Sequence, residues 1–240
     1  MNNNISIIPL DSLVFAFIPV IVVIYILFKW SLDYKYSIYA MMRMLVQLLL
    51  IGYVLTFIFD SDSSLLVVAI LVVMVSISAW ISLRTIESKS NRLFSYAFFS
   101  ILIGGGVTLL LITQSVVEIT PWYEPRYLIP LAGMTFANSL TGLSLAAERF
   151  EAEIQRDVPY LKARNIAFKA SLIPVVNSLL AVGVVALPGM MTGQILSGVS
   201  PLIAVRYQIM VMCMIFGSSG ISTALFLMMI KNHHTKAPSE

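Results

Sequence analysis

The chain has 240 residues, of which 59% are hydrophobic and only 11% charged, and its mean hydropathy is +0.91. A water-soluble domain carries about a quarter charged residues, so composition alone excludes that class. The single cysteine, Cys213, excludes a disulfide within the chain and any metal site built on cysteines.

The charges are clustered, which leaves long uncharged runs over 12–28, 44–59, 63–83, 93–117, 127–147, 170–205 and 207–230. A bilayer core needs about 20 apolar residues as helix. The second run reaches that length once it is extended back through Arg43 to Ser37. These runs predict an all-α, polytopic integral membrane protein with about seven transmembrane helices in one transmembrane domain, 1–240. Continuous apolar runs exclude a transmembrane β-barrel, whose strands alternate. The opening MNNNISIIPLDS has neither a basic n-region nor a small-residue cleavage site, so no removable signal peptide is expected. The first span is then its own insertion signal.

Lys and Arg set the orientation. Seven spans place Lys29, Lys35, Arg43, Arg84, Lys89, Arg92, Arg149, Arg156, Lys162, Arg164, Lys169, Lys231 and Lys236 on one side, and only Arg126 and Arg206 on the other. The positive-inside rule puts the first group in the cytoplasm. The N-terminus is then outside, the C-terminus inside, and the net charge of +3 serves topology rather than nucleic-acid binding.

In chain order, span 1 covers 9–28 and span 2 covers 37–59. Arg43 and Gln47 are four residues apart and share a helix face; Arg43 either snorkels to the inner interface or joins Gln47 toward a partner helix or path. Asp60 and Asp62 close a short outer turn. Spans 3 (64–83) and 4 (93–113) flank the basic loop RTIESKSNR. Gly104, Gly105 and Gly106 lie inside span 4, where glycines let helices approach closely. The outer loop 114–126 holds Trp122 and Tyr123, residues suited to a membrane interface. Asp60, Asp62, Glu118 and Glu124 are read as solvated loop charges, with attraction of a cation as the alternative.

Span 5 (127–147) carries Asn138, Ser139 and Thr141 deep in its apolar zone. Polar groups at that depth must be paired, so this patch is expected to face other helices. The segment 148–169 is the most charged in the chain. Phe150, Ile154, Val158 and Leu161 recur at steps of four, four and three, one stripe of a helix that Pro159 must bend or restart. The stripe fits an interfacial helix or a docking helix for a cytoplasmic partner equally well. Span 6 starts near Ala170 and contains Pro174 and Asn177; span 7 runs to Ile230 and contains Gln208. Met210, Met212 and Met214 alternate, so a helix spreads them over different faces.

Between spans 6 and 7 stands LPGMMTGQILSG, 187–198. Pro188 and Gly189 are expected to end or kink span 6 near the outer face. Non-helical backbone at membrane depth lines a cavity or is buried in protein. Freed carbonyls, the Thr192 hydroxyl and Gln194 would offer oxygen ligands there, and Met190 and Met191 soft sulfur, as in a gate or substrate path built from a broken helix. The alternatives are that Gly189 and Gly193 serve close packing between two copies, with the methionines as filler, or that the stretch is a plain turn.

Absences narrow the chemistry. Both histidines, His233 and His234, are in the tail, so no histidine-bearing metal site or Ser–His dyad can form within a span. Gly217-Ser218-Ser219-Gly220 matches a rhomboid protease box only by accident, without that histidine. The last span has no lysine for retinal. No GxxxxGK[ST] is present, so the chain does not cradle ATP by that loop. No carboxylate sits at mid-membrane for a proton-driven carrier. The reading is a non-enzymatic chain without resident metal or cofactor.

The run IPVVNSLLAVGVVALPGMMTGQILSGVSPLIAVRYQIMV, 173–211, resembles the signature of one ABC-transporter permease family. That family includes the bacterial Fet-type iron-export permease and the plant aluminium-sensitivity permease. RMLVQLLLIGYVL (43–55) and PLAGMTFAN (130–138) also resemble it. The resemblance implies a permease subunit in a bacterial inner membrane or its equivalent, exporting a metal ion such as iron. It implies a separate cytoplasmic P-loop ATPase that binds the ATP, commonly with two permeases and two ATPases, and it places the coupling segment at 148–169. The family pattern has a Leu-Gly-Ala-Thr-Pro-like element before the span; this sequence runs from Glu148 to Asn177 without it. A receptor or scaffold that docks a cytoplasmic partner without transport is the alternative class.

Overall fold

The computed structural model describes residues 9–60, 63–86 and 90–231. The expectations placed on Asp62, Lys89, His233, His234, Lys236 and the first eight residues fall outside these. The described chain is helical, with one isolated β-bridge between Val182 and Ala186, and it divides into two units at Ser61.

The first unit is a helical hairpin. Helix α1 covers Asp11–Lys29, tightened to a 3-10 turn over Val14–Phe17, and α2 covers Tyr34–Phe59. Asp33 caps α2 by accepting the Tyr36 N–H at 3.1 Å. Arg43 is half-buried and Gln47 exposed.

The second unit contains α3 (Ser64–Ser82), α4 (Asn91–Ser115), α5 (Pro125–Ile154), α6 (Tyr160–Ala181), α7 (Gly189–Leu196) and α8 (Pro201–Met229). The sequence fixes most of the starts. Ser63 and Ser90 accept the N–H groups of Leu66 and Leu93, and Pro125 and Pro201 occupy the first turns of α5 and α8, where their missing N–H costs nothing. Helices α5 and α8 are central: α5 packs on α3, α4, α6 and α8, and α8 packs on α4, α5, α6 and α7.

Among the described residues, six helices are long and apolar enough to cross a membrane: α1, α2, α3, α4, α5 and α8. The expected span 6 is also a helix, but it begins at Tyr160, ten residues before the uncharged run, and includes Lys162, Arg164 and Lys169. At 1.5 Å per residue its 22 residues reach about 33 Å, so α6 returns the chain from one end of the bundle to the other. Pro174 therefore lies well inside α6 rather than near its start.

The segment 148–169 is not a helix of its own. It is the last turns of α5, a tight bend and the first turns of α6. Asp157 takes the left-handed φ of 58°, and Pro159 restarts the helix as its N-cap. Phe150 is 2% exposed and meets the Tyr160 ring edge-on at 5.9 Å. Ile154 and Val158 pack against the core, and only Leu161 of the stripe points out, 61% exposed. The bend changes the helical phase, so a periodicity counted across Pro159 joins residues that face different ways. Buried Glu153 accepts from Arg149 at 2.6 Å, with the Arg156 guanidinium at 3.9 Å. Tyr160 donates its hydroxyl to the Leu227 carbonyl at 2.7 Å, tying the start of α6 to the end of α8.

Small residues bring α4, α5 and α8 together. A Cβ on Gly104 would stand 2.5 Å from the Ser222 hydroxyl and 2.6 Å from its backbone nitrogen. One on Gly142 would meet Ser219, and lie 3.0 Å from Thr223 Oγ1. Ser222 donates to Ser139 at 3.2 Å across the same contact. Gly104→Ala and Gly142→Ala should each lower stability in detergent, by roughly 1–3 kcal/mol for an overpacked core. Gly106→Ala, which meets nothing within 4 Å, is the control. Thermal unfolding of the three variants checks this; equal midpoints would mean the backbones are not in contact.

Candidate functional site

The two ends of the second unit differ in chemistry. At one end Ile86, Leu93, Ala147, Phe150, Phe226 and Ile230 close around one small pocket, which brings together the α3–α4 connection, the α5–α6 bend and the end of α8. Arg84, Arg92, Arg149, Arg156, Lys162 and Lys231 belong to these segments. The opposite end, whose Lys and Arg residues among those described are Arg126 and Arg206 alone, holds the 187–198 stretch.

The break there comes earlier than Pro188. Helix α6 stops at Ala181, and Gly183 takes a φ of 81°, which an L side chain resists. A tight turn follows in which the Ala181 carbonyl accepts from Val185 at 2.8 Å and from Ala186 at 3.1 Å, while Gly183 donates to Ala186 at 3.0 Å. Pro188 and Gly189 then begin α7 instead of ending α6; Pro188 is its N-cap. The carbonyls of Ala181, Ala186 and Pro188 are thus engaged. The Thr192 hydroxyl is engaged as well, donating to the Pro188 carbonyl at 3.1 Å. Gly189 and Gly193 stand in open space within the chain, with nothing within 4 Å of an added Cβ.

What remains of the expected site is smaller. Met191 is buried at 9% exposure. Met190 faces a cavity of about 330 Å³. From α5 come Arg126, Tyr127, Pro130, Leu131 and Met134; from α8, Tyr207 and Met210; and Val117 comes from the preceding loop. Pro130 lies inside α5 and has no N–H for the Arg126 carbonyl, which weakens the helix at this wall. Helix α7 packs on α8 and so carries Met190 to the cavity. Sequence reasoning missed this cavity because its wall is drawn from three separated helices; the presence of Arg126 and Arg206 alone on this side was the available signal.

Two side-chain oxygens are buried without a partner near this region of the sequence, Gln194 Oε1 on α7 and Gln208 Oε1 on α8. Gln208 is only 5% exposed. The other intramembrane polar residues are accounted for locally. Asn138 donates to the Met134 carbonyl at 2.8 Å and Thr141 to Ala137 at 2.9 Å, so of that patch Ser139 alone bonds across helices. Asn177 is exposed on α6. Met210, Met212 and Met214 are all buried, since α8 is enclosed on most sides. Among the described residues no three His, Cys, Asp or Glu side chains gather as a metal site.

These features define a class: an integral membrane protein with a helical bundle, a basic end and a broken helix beside a cavity at the other end. A model of the uncharacterised protein family UPF0014 matches residues 10–164 and 160–234. The chain belongs to that family. It is 34% identical to a UPF0014 membrane protein of Synechocystis over 75% of this chain and 76% of the relative. It is 29% identical to the probable iron export permease protein FetB of Escherichia coli over 90% of this chain and 88% of the relative. It is 32% identical to protein ALUMINUM SENSITIVE 3 of Arabidopsis thaliana over 78% and 72%. No solved structure matches the chain.

Two outcomes are expected. Gly189→Ala and Gly193→Ala should leave thermal stability unchanged or raise it by about 1 kcal/mol, the helix preference for Ala over Gly; a clear loss would mean that a second chain packs there. Gln208→Leu should be neutral or stabilising, because it removes a buried unpaired acceptor that costs about 1–3 kcal/mol. A lower unfolding temperature for that variant would show that Gln208 is held by a partner in the membrane.

Proposed function

We propose that this chain is the membrane-spanning permease subunit of an ABC-type transporter in a bacterial inner membrane, and that it exports a metal ion, iron as the first candidate. The observation that carries the reading is the likeness to the probable iron export permease FetB, which extends over 90% of the chain. Six apolar helices long enough to cross a membrane fit a permease, and the chain itself has no phosphate-binding loop. Energy then comes from a separate cytoplasmic P-loop ATPase, with two permease and two ATPase subunits per assembly.

The positive-inside rule assigns the basic end to the cytoplasm, so the α5–α6 bend is the coupling element. Its exposed residues, Arg156, Asp157, Leu161, Lys162 and Asn165, form the docking face, while Phe150 holds the bend to the core. Gln194 and Gln208, whose buried amide oxygens have no partner, are the candidates for the path at the opposite end.

Purification of the tagged protein from its host in mild detergent, followed by mass spectrometry, tests the class. A stoichiometric P-loop ATPase supports it. Its absence, under conditions that keep other ABC complexes whole, favours a receptor or scaffold. Leu161→Asp with Lys162→Glu should release the ATPase while the permease still unfolds at the parental temperature. Phe150→Ala should instead destabilise the fold by about 3–5 kcal/mol. Retained co-purification in the double variant would remove the bend from the docking face.

A further inference from the structure

The cavity at the Arg126 end is poorly suited to a bare metal cation. Its wall is almost entirely carbon and sulfur, and no carboxylate lines it. The charges beside it are themselves positive. Arg126 lines this cavity, and Arg206 lines a second one of about 230 Å³; the two share Val117, Tyr207 and Met210. Arg126 is the only Lys or Arg between residues 93 and 148, and Arg206 the only one between 170 and 230. Both are exposed, and among the described residues neither is engaged in an ion pair or hydrogen bond. Glu118 and Glu124, in the segment before α5, are not paired with either.

We propose that these two adjoining cavities bind one anionic phospholipid, with its phosphate between Arg126 and Arg206 and one acyl chain against Met134, Met190 and Met210. The charge complement selects the head group: basic side chains at a membrane surface attract anionic lipid, and a guanidinium matches phosphate oxygens in a forked geometry. The wall selects the chain. Thioether side chains are flexible and apolar and conform to an irregular hydrocarbon, and the volume is in the range of small-ligand pockets. The site does not depend on the cargo assignment and stands if the cargo is not a metal.

Native mass spectrometry of the full-length protein tests this, with phosphatidylglycerol and phosphatidylcholine of identical acyl chains supplied in equal amounts. The expected result is one phosphatidylglycerol per chain, retained about tenfold or more over phosphatidylcholine. Arg126→Gln with Arg206→Gln should bring the ratio near one, and the corresponding Lys pair should keep a preference. Met134→Trp, which fills the cavity and leaves the charges, should lower retention of both lipids. Equal retention of the two lipids by the parent chain overturns the proposal, as does a preference that survives in the Gln pair. If inorganic phosphate at millimolar concentration displaces the phosphatidylglycerol, the acyl half of the proposal is wrong. Should the Gln pair fail to fold, the parental ratio and Met134→Trp decide the matter.

Discussion

The close approach of α4, α5 and α8 governs the second unit. Lipid offers no hydrophobic drive for helices to associate, so contact area and hydrogen bonds must supply it. Gly104 and Gly142 let the backbones of α4 and α5 reach α8 near Ser222 and Ser219, and the Ser222–Ser139 bond lies in the same seam. Large apolar residues then fill the layers above and below, with Ile101, Leu143, Met214 and Phe226 nearly inaccessible. The charged bend and the cavity are built at the two ends of this packed core, so the geometry of both depends on it.

A second constraint is that backbone polar groups have no water to bond in hydrocarbon. The break after α6 meets part of it by folding into a turn in which the Ala181 carbonyl accepts from Val185 and Ala186, and the Ala186 carbonyl from Gly183. The side chains at this end add thioethers, two amide oxygens and two guanidiniums.

The six long apolar helices were legible because each contains a long uncharged run. Three things were not. Pro188-Gly189 looks like a helix end, yet the weaker signal at Gly183 ends α6 and the stronger one starts α7. The stripe Phe150, Ile154, Val158, Leu161 has a helical period, but the bend at Asp157 and Pro159 turns Phe150 inward and Leu161 outward. The cavity has no local signature, since Met134, Met190 and Met210 are brought together only by packing. Of the expected path, Met190 faces the cavity and Gln194 keeps a buried oxygen without a partner, while Thr192 bonds to Pro188 and Gly189 and Gly193 have no close neighbour within the chain.

The hydrogen bond from Tyr160 to the Leu227 carbonyl has a mechanical consequence. That carbonyl belongs to the last turn of α8, where the helix supplies few partners of its own, so the tyrosine acts as a rivet between two helices whose other connection passes through α7. The rivet and the α7 connection sit at opposite ends of α6 and α8. The two helices therefore form a closed frame. The covalent chain through α7 closes the frame at one end and the tyrosine hydrogen bond at the other, and the turn over 182–186 is its exposed corner, with Val184 88% exposed.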